Sequence, residues 1–452
     1  MMKEGYVVTN SHRSGITRRN LAIGSAAGIA GAAVARHSAS AGVTSRIFRP
    51  SALQDQPFAG QKLVIEGPAY MAPHLPEQFL PMFAEASGAE VEWIQFPGGE
   101  EDIKYSSYLV AQDSGVDVLY AWETVIAKFG PVLLEDLTGK VDQAVLDDLV
   151  PATVTAFTWN GSLYGVPFDS NMMVFMWNKQ LYEEAGLDPE TPPQNWAEFL
   201  EFSAALTKDG QYGTLLPPDF GNYAVLVNST GGAGALSDDL RTVLADSPES
   251  LLALQAIADL YASGAVDPIS LSVPTSIEVG KNFRSGRFGH YLAFPNHFVL
   301  ANDPEQSQIV GNAATAVIPG VVERSGTING FEGFAINKFS ENKDLALAFL
   351  EFTVSQPVQE YTALTWGRPP SSTTTLANPA VLEKSPQFAT VSEQGQHSAR
   401  RYGSPFYADL NVLYTEELIK MANGDQTVEE TAAALQEKAQ PIVDEYWSAI
   451  DG

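Results

Sequence analysis

Apolar positions along this chain fall into short runs and helical stripes that alternate in a fixed order. Lys62 to Ile65 predicts a first strand, ending at Glu66-Gly67. Helical spacing follows over Pro76 to Ala86, with Gly88 to close it, and Val91 to Phe96 predicts a second strand. A polar helix over Glu101 to Gln112 leads to a third strand, Val116 to Tyr120. Strands and helices in that alternation predict a parallel sheet with right-handed crossovers. Ligands of such sheets bind beyond the carboxyl ends of the strands, where Glu66-Gly67, Trp122-Glu123 and Phe168-Asp169 are expected.

The stretch from Gly161 to Gly213 carries the densest local pattern. Asn160-Gly161 between Thr158-Trp159 and Leu163-Tyr164 predicts a two-residue hairpin, because both turn positions accept positive φ. Met172 to Trp177 is continuously apolar, as for a strand buried on both faces. Lys179 to Ala185 reads as a short helix with Gly186 just past its end. Three prolines (Pro189, Pro192, Pro193) then keep the chain out of helix, until Asn195 and Glu198 cap a helix whose buried face is Trp196, Phe199 and Leu200. Further on, Ser247-Pro248 opens a helix that Gly264 ends, Tyr291 to Phe294 is an apolar segment, and Thr315 to Ile318 and Phe334 to Ile336 predict strands. A helix over Asn342 to Val354 follows. Thr427 and Glu430 cap a last helix, which Pro441 is expected to kink.

Composition narrows the class. The chain has 452 residues and no cysteine, so disulfides are excluded. Near the N-terminus, Arg18-Arg19 precedes a mildly apolar run from Leu21 to Ala35 and then Ala39-Ser40-Ala41, the order of a twin-arginine export signal cleaved after Ala41. The run is shorter than the ~20 residues of a spanning helix. Residues 42–60, with Pro50 and Pro57, read as a tether, and no lipid-bearing cysteine is expected. Without residues 1–41 the chain keeps 21 basic and 53 acidic residues, a formal charge of −32. That charge repels nucleic acid and anionic lipid. Six histidines lack metal-ligand spacing, so neither a metal nor a cofactor is implied. The remaining length suggests two domains.

Several stretches then resemble, in order, the carbohydrate-binding branch of the extracellular solute-binding proteins that feed ABC importers. They are Gly161 to Gly213, Leu260 to Pro268, Phe283 to Phe288, Ile318-Pro319-Gly320, Gly333 to Ile336, Phe352 to Ser355 and Trp366 to Pro370. His290 and Tyr291 depart from the family, which usually has small residues and methionine there. The resemblance implies a two-lobed α/β periplasmic-binding-protein-like fold, with a hinge crossed several times and a ligand cleft between the lobes. The first lobe is expected at 60–168 plus 335–390 and the second at 172–332 plus 391–452. It implies a monomer that closes around a small-molecule solute, a sugar or oligosaccharide, and presents the closed form to membrane permease subunits.

A sugar needs planar side chains against its C–H faces and carboxylates, amides or guanidinium groups for its hydroxyls. Trp122 and Glu123 are the first choice. Asp169 is expected at the first interlobe crossing, Phe331 and Glu332 at the second, and Trp366 and Arg368 on the late loop. Glu66 follows the first strand, and Tyr223, Asn296 and Tyr402 are candidates from the second lobe. The four carboxylates Glu66, Glu123, Asp169 and Glu332 leave two other readings open: a cationic solute such as a polyamine, or a glycoside hydrolase, which needs two carboxylates across a cleft.

Overall fold

The computed structural model describes Leu53 and residues 56–72, 74–399 and 403–451; the expected export signal and Tyr402 lie outside them. Strand β1 (Lys62–Pro68) lies between β2 (Glu90–Phe96) and β3 (Val118–Trp122), all three parallel. The hairpin expected at Asn160-Gly161 forms between β4 (Thr158–Trp159) and β5 (Ser162–Leu163), with φ of 48° and 85° at the turn. Next come β6 (Val166–Pro167), β7 (Val174–Asn178), β8 (Tyr212–Thr214), β9 (Phe288–Ala293) and β10 (Ala313–Ala316). The chain closes its strands with β11 (Gly326–Thr327), β12 (Glu332–Ile336) and β13 (Ser398–Ala399).

Two main sheets result. One has the order β2-β1-β3-β12-β6 and the other β10-β7-β9-β8. Each carries its own hydrophobic core: Ile65, Phe83, Leu119, Phe334 and Phe349 around the first sheet, and Phe175, Phe199, Leu226, Ile257 and Tyr414 around the second. The chain passes between them from β6 to β7 and returns at β12, which inserts antiparallel beside β3. β12 joins the first sheet from Glu332, three residues before the expected lobe boundary. The helix Gln387–Gln394 sits by the second sheet, where Thr390 Oγ1 hydrogen-bonds Thr315 Oγ1 at 3.0 Å and Gln394 Oε1 accepts from Ile318 N at 2.8 Å.

Local capping explains where several helices start. Asn195 Oδ1 accepts from Glu198 N at 3.0 Å to open Trp196–Leu206, and Ser247 Oγ accepts from Ser250 N at 3.2 Å to open Pro248–Ala262. Such caps satisfy one of the orphan N–H groups of the first turn. Thr427 and Glu430 exchange the expected pair of bonds, and the helix they open, Val428–Asp451, runs on through Pro441. His290, the departure noted above, fills a buried place in β9. Its two ring nitrogens hydrogen-bond Tyr182 Oη at 2.8 Å and Ser203 Oγ at 2.7 Å, so a polar ring is satisfied inside the second core.

Candidate functional site

β1 and β2 pair as far as Pro68 and Phe96, and β3 ends at Trp122. All three carboxyl ends therefore open on one side of the first sheet. Tyr70 follows β1, Gly98-Gly99 follow β2, and Glu123 begins the helix Glu123–Leu133 after β3. β12 runs the other way, so its first residue, Glu332, pairs with Trp122 at the same edge. Asp169 follows β6, and Arg368 arrives on the loop after the helix Gln356–Thr365.

These residues form one connected group. Arg368 Nη1 donates to Asp169 Oδ2 at 2.5 Å and also to Glu332 Oε2. Glu332 Oε1 accepts from Tyr70 Oη at 3.0 Å, and Tyr70 Oη lies 2.9 Å from Tyr120 Oη. Asp169 Oδ1 accepts from Glu332 N at 2.9 Å. Arg368 is 5% exposed at its side chain and Asp169 is fully buried, so this is an interior ion pair with a second carboxylate beside it. Burial pushes the Asp169 carboxyl up to about 7, with Arg368 opposing and Glu332 adding to the rise. Arg368 stays charged: burial lowers its pKa, but Glu332 and Asp169 more than offset that and hold it above its ordinary value. Burial and the neighbouring Glu332 raise the Tyr70 phenol, which keeps it a neutral donor.

Trp366 supports this group. Arg368 Cζ lies 4.3 Å from its ring centroid, and the His74 ring stacks on it at 4.3 Å and 15°. With Phe168 also against it, Trp366 is 7% exposed and acts as a platform for Arg368. Burial, and then the Arg368 charge, lower the His74 pKa to about 4.

Trp122 is half-buried and reaches the other lobe. Its ring meets Tyr407 edge-on at 5.6 Å, and Tyr407, the first residue of the helix Tyr407–Ala422, packs on Phe220 at 5.5 Å. Below Tyr407 the second lobe contains a cavity of about 300 Å³, lined by Asp219, Asn222, Phe294, His297, Tyr407 and Asn411 among others. Burial lowers the His297 pKa to about 4, with Arg284 and Arg368 assisting.

The expected residues therefore divide. Trp122, Asp169, Glu332 and Arg368 gather at the edge where the lobes meet, and Glu123 adjoins them, buried beside Gly403. Glu66 does not join them. β1 continues two residues beyond it, and its carboxylate is held by Lys104 and by Tyr108 Oη at 2.8 Å. Phe331 was expected to face the cleft but is 1% exposed and packs in the first core, one position before β12 begins at Glu332. Tyr223 is also a core residue, its hydroxyl bonded to Ser250 Oγ at 2.8 Å. Asn296 opens the helix Asn296–Ala301, which abuts the Trp366–Arg368 loop. Sequence reasoning missed Tyr70, Tyr120 and Tyr407. Tyr120 sat at the end of a strand already read; the other two depended on where β1 ends and on a contact between lobes.

Two α/β lobes joined by crossing strands, with aromatic and charged side chains gathered where they meet, define the class of periplasmic solute-binding proteins. The chain matches the model of the bacterial extracellular solute-binding protein family over residues 78–390, and it belongs to that family. Membership gives it a solute to bind and a place outside the cytoplasm. Among curated relatives, a probable amino-acid ABC transporter periplasmic-binding protein of Sinorhizobium fredii is 24% identical over 374 residues, 80% of this chain and 84% of that one. A mannitol-binding protein of Pseudomonas aeruginosa is 28% identical over 272 residues, 57% of this chain and 61% of that one. Among solved structures, maltose-bound MalE3 of T. maritima superposes with a TM-score of 0.76 at 24% identity, covering 83% of this chain and 98% of that one. A tagatose-bound protein of Thermotoga lettingae gives 0.75 at 22% identity, covering 85% and 100%.

Proposed function

We propose that this protein captures a sugar or sugar alcohol between its lobes and delivers it to the permease of an ABC importer. The observation that carries this reading is the meeting of Trp122 with Tyr407 across the lobes, beside the Tyr70–Glu332–Arg368–Asp169 group. Aromatic rings cover C–H faces, and ordered carboxylates and phenols serve hydroxyls. The solutes named for the mannitol-binding relative and for the structural neighbours support it. An amino acid fits less well, since its carboxylate would need a guanidinium and Arg368 is already shared by two carboxylates.

The protein binds and does not catalyse in this reading. A glycosidase separates its two carboxyl groups by about 5 Å or more so that a sugar lies between them, whereas Asp169 and Glu332 hold the same nitrogen of Arg368. It works as a monomer, is exported by the twin-arginine signal at 1–41, and closes about the segments that join the expected lobes, with β12 counted in the first.

A thermal-shift screen against monosaccharides, polyols, oligosaccharides, amino acids and polyamines tests the proposal, because a ligand of the folded state raises its melting temperature. A sugar or polyol is expected to shift it, and Trp122→Ala should remove that shift while the unliganded protein melts within a few degrees of wild type. A shift by polyamines alone, weakening steeply with salt, would replace the sugar with a cation. Turnover of a glycan would overturn the binding reading.

A further inference from the structure

The second-lobe cavity is lined by none of the residues expected from the sequence. Met173, Ile328 and Val279 give it apolar walls, and Phe294 and Tyr407 give it aromatic ones. Its polar groups are sparse and placed. Asn222 is 7% exposed; its Nδ2 donates to Pro217 O at 2.9 Å, and its Oδ1 has no partner among the described residues. Asn411, from the helix that Tyr407 opens, makes no side-chain hydrogen bond among the described residues. An amide oxygen left open to a cavity is a ready acceptor for a solute hydroxyl. Asp219 Oδ1 accepts from Asn222 N at 2.8 Å, which holds Asn222 in place.

Neighbouring segments crowd the space on several sides. Trp122 meets Tyr407 at one boundary. Phe294 lies so close to Gly330 that a Cβ there would fall 2.4 Å from its ring. The helix that supplies His297 is held by the Trp366–Arg368 loop, where a Cβ on Gly367 would fall 2.2 Å from Val299 Cγ2. A volume of about 300 Å³ stands at the lower bound of the roughly 300–1,000 Å³ of ligand pockets.

We infer that this cavity is the second-lobe half of the solute site, with Asn222 and Asn411 as hydroxyl partners, and that it admits one sugar ring or one open-chain polyol and excludes oligosaccharides. The inference rests on the sugar reading for the class of solute, but the size limit follows from the cavity volume and the Trp122–Tyr407 contact at its edge. A chain of rings would have to separate Trp122 from Tyr407.

Calorimetric titration of the purified protein with size-matched pairs tests it: glucose and maltose, mannitol and maltitol, glycine and glycylglycine, putrescine and spermine. The smaller member of whichever class binds is expected to bind at least about tenfold tighter, and Asn222→Ala to weaken it by a further factor of roughly ten. Tyr407→Ala should narrow the gap between members of a pair. Asn411→Ala, at a less buried position, gives the same readout should Asn222→Ala fail to fold. Equal or tighter binding of the larger member overturns the size limit, and wild-type affinity in both asparagine variants overturns the assignment of the cavity. Binding confined to the glycine or putrescine pairs defeats the sugar reading while the size limit is still read from them. No binding in any class overturns both.

Discussion

Replacing Arg368 with methionine isolates the energetic centre of the site. Methionine keeps an apolar stem against Trp366, which the guanidinium carbon now covers at 4.3 Å, and removes the only charge facing Asp169 and Glu332 in this group. Breaking a buried pair by removing one partner costs about 3–5 kcal/mol, whereas removing every charge of such a group is often close to neutral. Asp169 is fully buried and Glu332 is 15% exposed, so the loss approaches that range only where both carboxylates are fully ionised. The triple variant Asp169→Asn, Glu332→Gln, Arg368→Met should recover most of the loss. The single variant also acquires a pH dependence of definite sign. Its Asp169 pKa rises further above the unfolded value of about 3.9. A carboxyl raised in this way contributes stability that is full below the unfolded value and lost as pH rises through the folded one. Asp169 already stands near 7 in the wild type, so the deficit relative to wild type should be small near pH 4.5 and grow only as pH rises past about 7, by up to about 1.4 kcal/mol per pH unit. Urea unfolding followed by tryptophan fluorescence, at pH 4.5 and pH 8, measures it. A loss that does not grow between pH 4.5 and pH 8, or a triple variant as unstable as the single one, would refute the reasoning.

Other outcomes can be stated more briefly. Gly367 holds φ of 71°, a conformation that costs a side chain about 1–2 kcal/mol, and its missing Cβ is needed by Val299; Gly367→Ala should lower the urea midpoint and Val299→Ala should restore part of it. Burial lowers His290 to about 3 and His297 to about 4. A base lowered in the fold gives stability present above its unfolded value near 6.5 and lost as pH falls toward the folded one, at up to about 1.4 kcal/mol per pH unit for each. Asp169 offsets one such proton over part of that window, and His290→Gln should flatten the acid limb between pH 6 and 4.5 by about one proton in urea midpoints measured against pH. Glu332→Gln should weaken solute binding by titration calorimetry while Asp169 keeps Arg368; unchanged affinity would remove Glu332 from the site. Lysine at both Arg18 and Arg19 should leave the precursor in the cytoplasm on fractionation, and normal export would reject the twin-arginine route.

The fold was legible wherever pattern and turn chemistry agreed. The hairpin at Asn160-Gly161 needed positive φ at two adjacent positions, and few residue pairs supply it. Strand ends were less legible, because an end is set by the neighbouring strand. β1 continues to Pro68 only because β2 pairs with it as far as Phe96. That shift of a few residues moved Glu66 into the sheet interior and brought Tyr70 to the edge. The candidate site was half legible. Residues at the ends of parallel strands could be named from topology alone, as Trp122 was. Tyr407 meets Trp122 only through the placement of one lobe on the other, which no local pattern encodes.

The same difference explains why Asp169 matters more than a single candidate contact. Its Oδ1 accepts from Glu332 N, its Oδ2 takes Arg368, and its backbone pairs with Pro370, while Ser170 Oγ donates to Pro370 O at 2.9 Å. The outgoing segment, the returning strand and the late loop are thus tied at one buried carboxylate. A hinge tied in this way is expected to bend on either side of the knot. Closure can then favour the liganded form only through contacts that differ between open and closed states. In the proposed site Trp122 against Tyr407 would be such a contact, because it joins the two lobes outside the knot. Glu332 against Arg368 belongs to the knot itself and should persist in both states.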